Sequence, residues 1–381
     1  MKRALLSLSA VLLWGCQGSP SPTESAPPSR TLRLPAQPYN YAQPELPPFF
    51  FGTDLVRADN VPSSNPTTDP GATLGRVLFY DETLSGNRTT ACAACHKIAR
   101  GFDDDEPLST GFAGGTTRRH SMALANARFY GPGRFLWDER AATLEAQVLL
   151  PFQDPVEMGL TLDELVARVQ GEAFYPPLFE AAFGDAAVTP DRVSRALAQF
   201  VRSMVSYRSR YDEGRAQVTR AATEPFPNFT DQENLGRQMF QRGRCSICHT
   251  TDAFVLARPH NTGLDAATKD AGVEQVTSRA GDAARFKAPS LRNVGLRTFF
   301  MHDGRFTTLE QVVEFYNSGI QNHPNLDLAL RVGGEPQRLG LTVEQKAALV
   351  AFLHTLTDHE MVKDPKFSDP FVRRTSLPGK P

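Results

Sequence analysis

Two pairs of segments along the chain repeat the same spacing of apolar and polar residues. "DRVSRALAQFVRSMVSY" (191–207) and "TVEQKAALVAFLHTLTD" (342–358) carry apolar residues at i, i+3 and i+4 with acidic residues early, which is typical of amphipathic helices. Upstream, "LGRVLF" (74–79) and "LGRQMF" (235–240) agree at four of six positions. Each places a glycine and an aromatic residue on one helical face. The pattern predicts a mainly α protein with an internal repeat.

The first 70 residues lack this periodicity. Lys2 and Arg3 precede an apolar stretch, 5–14, that is too short to cross a bilayer as a mature helix, so residues 1–15 are predicted to be a signal peptide. Residues 16–70 are rich in Pro and Ser and predict an extended tether. The apolar stretch "LPPFFFG" (46–52) within it is expected to dock onto the folded body.

The repeat divides the rest of the chain into two domains and a tail. We predict an N-terminal domain over 71–222, a C-terminal domain over 223–360 and a tail over 361–381, with the boundary in "TRAATEPFPNFTDQEN" (219–234). Of the 381 residues, 40% are apolar and 22% are charged, which suits a packed soluble core. The net charge of -1 and the lack of a long basic run argue against a nucleic-acid partner.

Four of the five cysteines lie in two C-x-x-C-H motifs, the attachment signature of c-type haem. A structural zinc site is the alternative, but zinc pairs usually lie closer together and need no histidine directly after each pair. The motifs therefore predict two covalently bound haem c groups, each with an axial histidine from the protein. The motif residues are Cys92, Cys95 and His96 in the first copy and Cys245, Cys248 and His249 in the second.

The fifth cysteine, Cys16, follows "LWG" in a stretch that resembles a bacterial lipobox. This resemblance predicts cleavage before Cys16 and its lipidation, which would anchor the protein on the periplasmic side of a membrane. Gln17 stands where inner-membrane lipoproteins carry aspartate, so the outer membrane is expected. The alternative is a plain secretory signal with Cys16 incidental, which would leave a free thiol in an oxidising compartment.

The sixth ligand of each iron decides what that haem can do, because an open position binds oxygen species whereas a filled one only transfers electrons. The loop 97–119 after the first motif contains no His and no Met, and the nearest candidates are His120 and Met122. We therefore predict an open first haem. For the second haem, Met301 is the candidate from the spacing of single-domain cytochromes.

Several segments together resemble the bacterial di-haem cytochrome c peroxidase family, which includes the MauG-type enzymes. They are "FLWDERAATLEAQVLLPFQDPVEMG" (135–159), both haem motifs, "FKAPSLRNVGLRTFFMHDGRFTTLEQVVEFY" (286–316) and the final helix. The resemblance covers about residues 70–360. It implies two tandem class I cytochrome c-like domains, each with one haem, in which a helix glycine allows close packing against the last helix of the domain.

The resemblance also implies roles for individual residues. The first haem would be the peroxide site, with Trp137 as an electron relay between the haems. Gln147 and Glu157 would be the distal glutamine and the catalytic acid–base group, with Pro151 lining the pocket. From the residues alone, Glu157 could instead cap or precede the helix "TLDELVARV". The second haem would store and deliver electrons.

The chain departs from the family pattern at three places. The distal histidine of the classical peroxidases corresponds to a position near Phe112, so no such gate is expected. The inter-domain calcium of the family would use an Asn that corresponds to His120, and backbone oxygens near Lys287 and Pro289; since calcium prefers oxygen ligands, the substitution argues against this ion. Tyr316 stands where the family has a Met ligand to the second haem, and Met301 remains its rival.

Three functions remain open from the sequence. The first is a peroxidase that reduces hydrogen peroxide with electrons from a small cytochrome c or cupredoxin. The second is a MauG-type oxidase acting on a protein, which Tyr316 and the missing distal histidine favour. The third is a lipid-anchored electron carrier without enzymatic activity. The resemblance also allows a homodimer. Among the other histidines, His302 is expected near a haem propionate, and a surface or capping place is expected for the rest, His260, His323, His354 and His359.

Overall fold

Two pairs of crossing helices form the centre of the fold. In the computed structural model, which describes residues 30–255 and 258–373, helix α2 (Asp69–Tyr80) packs on α8 (Pro190–Ser203). In the same way, α10 (Asp231–Arg242) packs on α14 (Val343–His354). The helices predicted from the apolar spacing are confirmed, and a threonine side chain caps each of the four at its N-terminus.

A glycine makes each crossing possible. A Cβ atom on Gly75 would lie 2.0 Å from the carbonyl oxygen of Ala196, and a Cβ atom on Gly236 would lie 1.8 Å from that of Ala348. Neither position has room for any side chain, so the backbones touch directly. The close approach inferred from the repeated glycine is confirmed in both halves.

Shorter elements connect these pairs. The remaining α-helices are α1 (Thr53–Ala58), α3 (Cys92–Cys95), α4 (Leu144–Gln147), α5 (Leu150–Gln153), α6 (Leu162–Gly171), α7 (Tyr175–Phe183), α9 (Arg210–Ala216), α11 (Cys245–Cys248), α12 (Glu274–Thr277) and α13 (Leu309–Glu314). The strands are β1 (Arg30–Leu32), β2 (Pro259–His260), β3 (Phe286–Lys287), β4 (Arg331–Val332), β5 (Glu335–Pro336) and β6 (Phe371–Arg373). They form three antiparallel pairs, β1 with β6, β2 with β3, and β4 with β5.

Aromatic side chains fill the core of each half. Phe79 of α2 and Phe200 of α8 pack edge to face with ring centroids 5.4 Å apart. Phe240 of α10 and Phe352 of α14 repeat the contact at 5.3 Å. The repeated aromatic of each half therefore faces the helix that its glycine contacts, and the two halves have equivalent cores.

Both ends of the described chain pack on the first half, which differs from the predicted tether and tail. Residues 30–68 do not stand clear of the body, since Tyr41 is buried and its hydroxyl donates to the carbonyl oxygen of Lys366 at 2.6 Å. Phe50 is also buried, so the docking expected of "LPPFFFG" is confirmed. Phe367, from the predicted tail, is 1% exposed within the first core. Tyr41, Phe50 and Phe367 thus anchor these segments on the body, and their spacing along the chain has no helical period.

The division between the halves also differs from the predicted boundary at 222. Tyr211 of α9 belongs to the second core, so the first half ends soon after α8. The halves are joined by side chains as well, because Arg119 forms a two-pronged ion pair with Asp270, each oxygen at 2.7 Å. Charge-assisted pairs of this kind fix orientation.

Residues 1–29 lie outside the described residues, and the predicted signal peptide and Cys16 fall within them. In the part of the chain that is described, no helix combines the length and the apolar character needed to cross a membrane.

Candidate active site

The two C-x-x-C-H motifs adopt the same local structure. Each pair of cysteines spans a single helical turn, α3 or α11, and the histidine follows directly. His96 Nδ1 lies 3.1 Å from the carbonyl oxygen of Phe102, and His249 Nδ1 lies 3.3 Å from that of Phe254. A carbonyl only accepts, so Nδ1 carries the proton in both rings and Nε2 keeps its lone pair.

These histidines suit axial coordination of iron. Burial lowers the pKa of His96, and it lowers that of His249 to about 4, so both rings are neutral near pH 7. A neutral imidazole with one nitrogen fixed by a carbonyl and the other free is the usual arrangement of a metal-binding histidine. The residues present therefore fit a haem c in each half, with two cysteines for the thioether bonds and one Nε2 for the iron.

A cavity of about 470 Å³ lies against the first motif. His96 and both cysteines of the motif line it, as do Gln147 from the end of α4 and Pro151 from α5. Glu157, from the turn after α5, also faces this space. The structure thus brings together the side chains that the sequence assigned to the distal pocket.

Glu157 has the electrostatic character of an acid–base group. Burial, with a further contribution from the nearby Asp154 carboxylate, raises the pKa of Glu157 to about 7. Its backbone N–H donates to Asp154 Oδ1 at 3.2 Å, which fixes the turn. Glu157 does not cap α6, because Thr161 and Glu164 form the capping box of that helix.

Phe112, in the loop after the first motif, supports Glu157 and does not line the cavity, whereas residues 116–119 at the end of that loop do. The N–H of Phe112 donates to the carbonyl oxygen of Glu157 at 3.1 Å. Its ring fills the space beside Gly86 and Gly159, where added Cβ atoms would lie within 2.5 Å of it. The resemblance placed the distal histidine of the family near Phe112, and the residue found there is an apolar ring packed on glycines.

The other candidates for a sixth ligand of the first haem differ in what their side chains contact. His120 Nδ1 lies 3.1 Å from the carbonyl oxygens of both Glu106 and Pro107, and its Nε2 lies 3.3 Å from Asp103 Oδ1. Both ring nitrogens thus face oxygen atoms, which argues against His120 as an iron ligand. Two thioethers, of Met122 and Met158, line the same cavity. Met122 was a candidate from the sequence, whereas Met158, which lies next to Glu157, was not.

The second motif lines a smaller cavity of about 190 Å³. Met301 and Tyr316, the rival ligands from the sequence, both face it. Tyr316 lies in a π-turn (Phe315–Gly319), and burial raises the pKa of its phenol. No hydrogen bond reaches this hydroxyl from the described residues, so it is free to meet a ligand. Met301 has a left-handed backbone, with φ of 71°.

Trp137 lines both cavities. Its indole N–H donates to the carbonyl oxygen of His120 at 2.7 Å, and its own carbonyl accepts from the N–H of Lys287 at 2.8 Å. The first half thus fixes the indole ring, and the second half holds the backbone of the same residue. The side chain predicted to relay electrons is therefore rigid and lies at the contact between the two sites.

Two histidines, His260 and His323, differ from their expected places. His260 and His323 are buried, not on the surface. His260 Nδ1 lies 2.7 Å from Asp327 Oδ2 and 3.9 Å from Cys248 Sγ, which places it beside the second motif. His302 stacks on Phe286 at 3.8 Å, while the neighbouring Asp303 pairs with Arg305. No local pattern marks His260, because its partner Asp327 is far along the chain. The remaining two histidines, His354 and His359, are exposed as expected.

Each motif helix is followed by a histidine whose Nε2 is available to bind iron, so the fold is a helical protein suited to two haem groups. A family model described as di-haem cytochrome c peroxidase matches residues 69–219. The methylamine utilization protein MauG of Methylophilus methylotrophus is 30% identical over 306 residues, which cover 79% of this chain and 87% of that protein. The cytochrome c551 peroxidase of Nitrosomonas europaea is 31% identical over 255 residues, 64% of this chain and 71% of that one. The chain belongs to the di-haem cytochrome c peroxidase and MauG family.

Solved structures agree with this assignment. A crystal structure of a MauG-like protein associated with microbial copper homeostasis has 32% sequence identity and a TM-score of 0.71, and the alignment covers 87% of this chain and 99% of that one. The diheme peroxidase BthA from Burkholderia thailandensis shares the fold, with 24% identity, a TM-score of 0.64 and coverage of 80% of this chain and 91% of that one. The family implies haem c cofactors and a haem oxidoreductase.

Proposed function

We propose that this protein reduces hydrogen peroxide to water in the first cavity, with electrons that a small cytochrome c or cupredoxin delivers through the second haem. The observation that carries the proposal is the place of Glu157 beside Gln147 in the cavity of His96, with a pKa of about 7. A carboxyl group that titrates near the working pH can both take up and return a proton.

Bound haem would supply the iron that receives electrons and breaks the O–O bond. The chain's own contribution is proton movement and orientation. Glu157 accepts a proton from the near oxygen of peroxide and returns it to the departing oxygen, while the Gln147 amide orients the substrate. The reaction consumes one peroxide, two electrons and two protons and releases two waters.

Protein oxidation of the MauG type is the second candidate, and Tyr316 is the observation that favours it. A phenolate ligand lowers a haem potential and favours high-valent iron, whereas a thioether raises the potential. Tyr316 lines the second cavity with its hydroxyl unpartnered among the described residues. In that reaction, electrons would leave a protein substrate through the same Trp137 contact.

A spectrum of the ferric protein as isolated separates enzyme from electron carrier. We expect electron paramagnetic resonance to show one high-spin and one low-spin haem. Two low-spin haems that stay low-spin on reduction would rule out both enzymatic functions. Peroxide turnover with reduced cytochrome c or cupredoxin then supports the peroxidase. Reduction of peroxide only when a protein substrate is present would instead identify the oxidase.

We also propose that Cys16 is lipidated and holds the protein at the periplasmic face of the outer membrane. The lipobox-like "LWGC" supports this. Cells fed labelled palmitate should yield labelled protein in the outer-membrane fraction, and Cys16→Ser should remove the label. Equal labelling of the variant would contradict the proposal, and Ser19→Ala, outside the motif, is the control.

A further inference from the structure

The contact between the halves beside Trp137 contains a buried carboxylate, that of Asp103, which is 2% exposed. His120 Nε2 approaches its Oδ1 at 3.3 Å from the same half. Arg297 Nε approaches its Oδ2 at 3.8 Å from the other half. Each oxygen of the carboxylate thus lies within ion-pair distance of a nitrogen atom, one from each half, and neither approach is a hydrogen bond.

Arg297 is fixed in this place by the backbone. Its Nη2 donates to the carbonyl oxygens of Ser290 at 2.7 Å and Arg292 at 3.0 Å. A guanidinium stays charged in proteins, so burial of Arg297 requires a nearby anion. Asp103 is the partner within ion-pair distance among the described residues.

A second cation lies at the same contact. Lys287, 8% exposed, has its Nζ 4.4 Å from the ring centroid of Tyr130, and no carboxylate of the described residues lies within ion-pair distance of it. Lys287 lines both cavities, and its backbone N–H donates to the carbonyl oxygen of Trp137. The ring face and the Glu139 carboxylate, which accepts from the Tyr130 hydroxyl, supply its negative surroundings.

This arrangement does not fit the calcium expected at the inter-domain position of the family. Calcium takes six to eight oxygen ligands. His120 offers nitrogen, its ring is turned onto backbone carbonyls, and the nearest carboxylate, Asp103, already faces His120 and Arg297. Two buried cations nearby would repel a divalent ion.

We propose that the chain's own charges, the cluster of Asp103, His120 and Arg297 with Lys287 beside it, close the contact between the two halves and that this contact takes no divalent metal. The cluster is also a positioning device. The carbonyl oxygen of His120 accepts the Trp137 indole N–H, so the backbone that carries the His120 ring also positions the relay residue. This proposal is independent of which oxidant or substrate the protein uses.

Metal analysis of the haem-loaded protein tests the absence of calcium. We expect substoichiometric calcium after gel filtration, and the thermal midpoint and ferric EPR spectrum should be unchanged by EGTA or by added calcium. One calcium per chain, or a midpoint that falls with EGTA and returns with calcium, would overturn the proposal.

A double-mutant cycle tests the cross-half pair. Asp103→Asn and Arg297→Gln should each lower the thermal midpoint by several degrees and shift the ferric EPR signals, since each leaves a buried charge unpaired. The double variant should lose less than the sum of the two. Arg305→Gln, which breaks pairs with Asp265 and Asp303 inside the second half, should leave the EPR signals unchanged. Additive losses, or equal spectral shifts in the control, would overturn the assignment. If Arg297→Gln does not fold, Arg297→Lys keeps the charge and should retain the coupling to Asp103.

Discussion

His96 and His249 have the same local geometry, so the two sites differ in what faces them. Thioethers line both cavities, but the carboxyl and amide of Glu157 and Gln147 face only the first, and the phenol of Tyr316 faces only the second. Acid–base groups on one side and strong iron ligands on the other suit a reacting haem and an electron-supplying haem.

Replacing Glu157 by Gln should lower kcat/KM for peroxide about 10²–10⁴-fold, the usual contribution of a positioned acid–base group. In the wild type, the carboxylate form accepts the proton, so kcat/KM should rise as pH increases through about 7, the pKa of Glu157. The variant should lose this inflection. Stopped-flow measurements at several pH values record both effects.

Two variants serve as controls for Glu157. Asp154→Asn removes a negative neighbour that raises the pKa of Glu157, so it should move the inflection to lower pH with activity retained. Glu180→Gln changes an exposed carboxyl and should change nothing. Full activity in Glu157→Gln would remove this residue from the proton transfer.

Tyr316→Met should raise the reduction potential of the second haem, because thioether ligation favours the ferrous state. A spectroelectrochemical titration measures the shift. Met301→Leu is the matched control, since Met301 lines the same cavity. If Met301→Leu moves the potential and Tyr316→Met does not, the ligand is Met301.

Residue chemistry was predictable where the motif is local and not where partners are distant in sequence. Cys92, His96 and their repeat are adjacent in the chain, so spacing was sufficient. His260 could not be placed, because Asp327, which orients it, is brought near only by the fold.

At the scale of elements, the repeated glycines set how closely the helices cross. Gly75 and Gly236 each lie against a carbonyl oxygen of the partner helix. In each half, the motif helix contacts one of the two crossing helices, α3 with α2 and α11 with α10. Helix packing and the position of the motif are therefore linked.

Gly236→Ala should destabilise the second half. The new Cβ would lie 1.8 Å from the carbonyl oxygen of Ala348, so α10 and α14 must separate. Overpacking of this kind costs about 1–3 kcal/mol. The thermal midpoint, followed by the absorbance of the second haem, should fall.

Gly171→Ala is the control for this substitution. Gly171 ends α6 and has no atom within 4 Å of an added Cβ, so the midpoint should stay or rise slightly. An unchanged midpoint in Gly236→Ala would show that the helices can separate at no cost.

The long helices followed from their apolar period, but the loops did not. The segment with Phe112 has no periodic pattern, and its place on Gly86 and Gly159 depends on contacts far along the chain. Its hydrogen bond to Glu157 could not be read from spacing either. The residues that line the candidate site were thus predictable, whereas the loop contacts that hold them in place were not.

At the scale of the whole molecule, both chain ends belong to the first half. β1 pairs with β6, and Phe367 packs among Tyr41, Phe102 and Phe200. The sequence predicted a tether and a tail here because proline-rich segments without period resemble linkers. A few buried aromatic anchors per segment are too sparse a signal to reveal the packing.

Phe367→Ala should destabilise the first half selectively. Removal of a fully buried phenylalanine costs about 3–5 kcal/mol. Thermal unfolding followed separately at the two haems should show the first haem losing its native spectrum earlier than in the wild type. Phe51→Ala, at a side chain that is 65% exposed, should change stability little. Parallel loss at both haems would contradict a local role.

The contact of Phe367 with Phe102 also sets the order in which the protein can be completed. Phe102 supplies the carbonyl oxygen that orients His96. The ring of Phe367 packs on the ring of Phe102, with centroids 6.1 Å apart, and the carbonyl oxygen of Phe367 accepts from the Tyr80 hydroxyl. A ribosome makes residues 361–371 only after the entire second half. The first haem site therefore lacks part of its support until the second half has been synthesised. Its assembly is finished only when the half that would feed it electrons already exists.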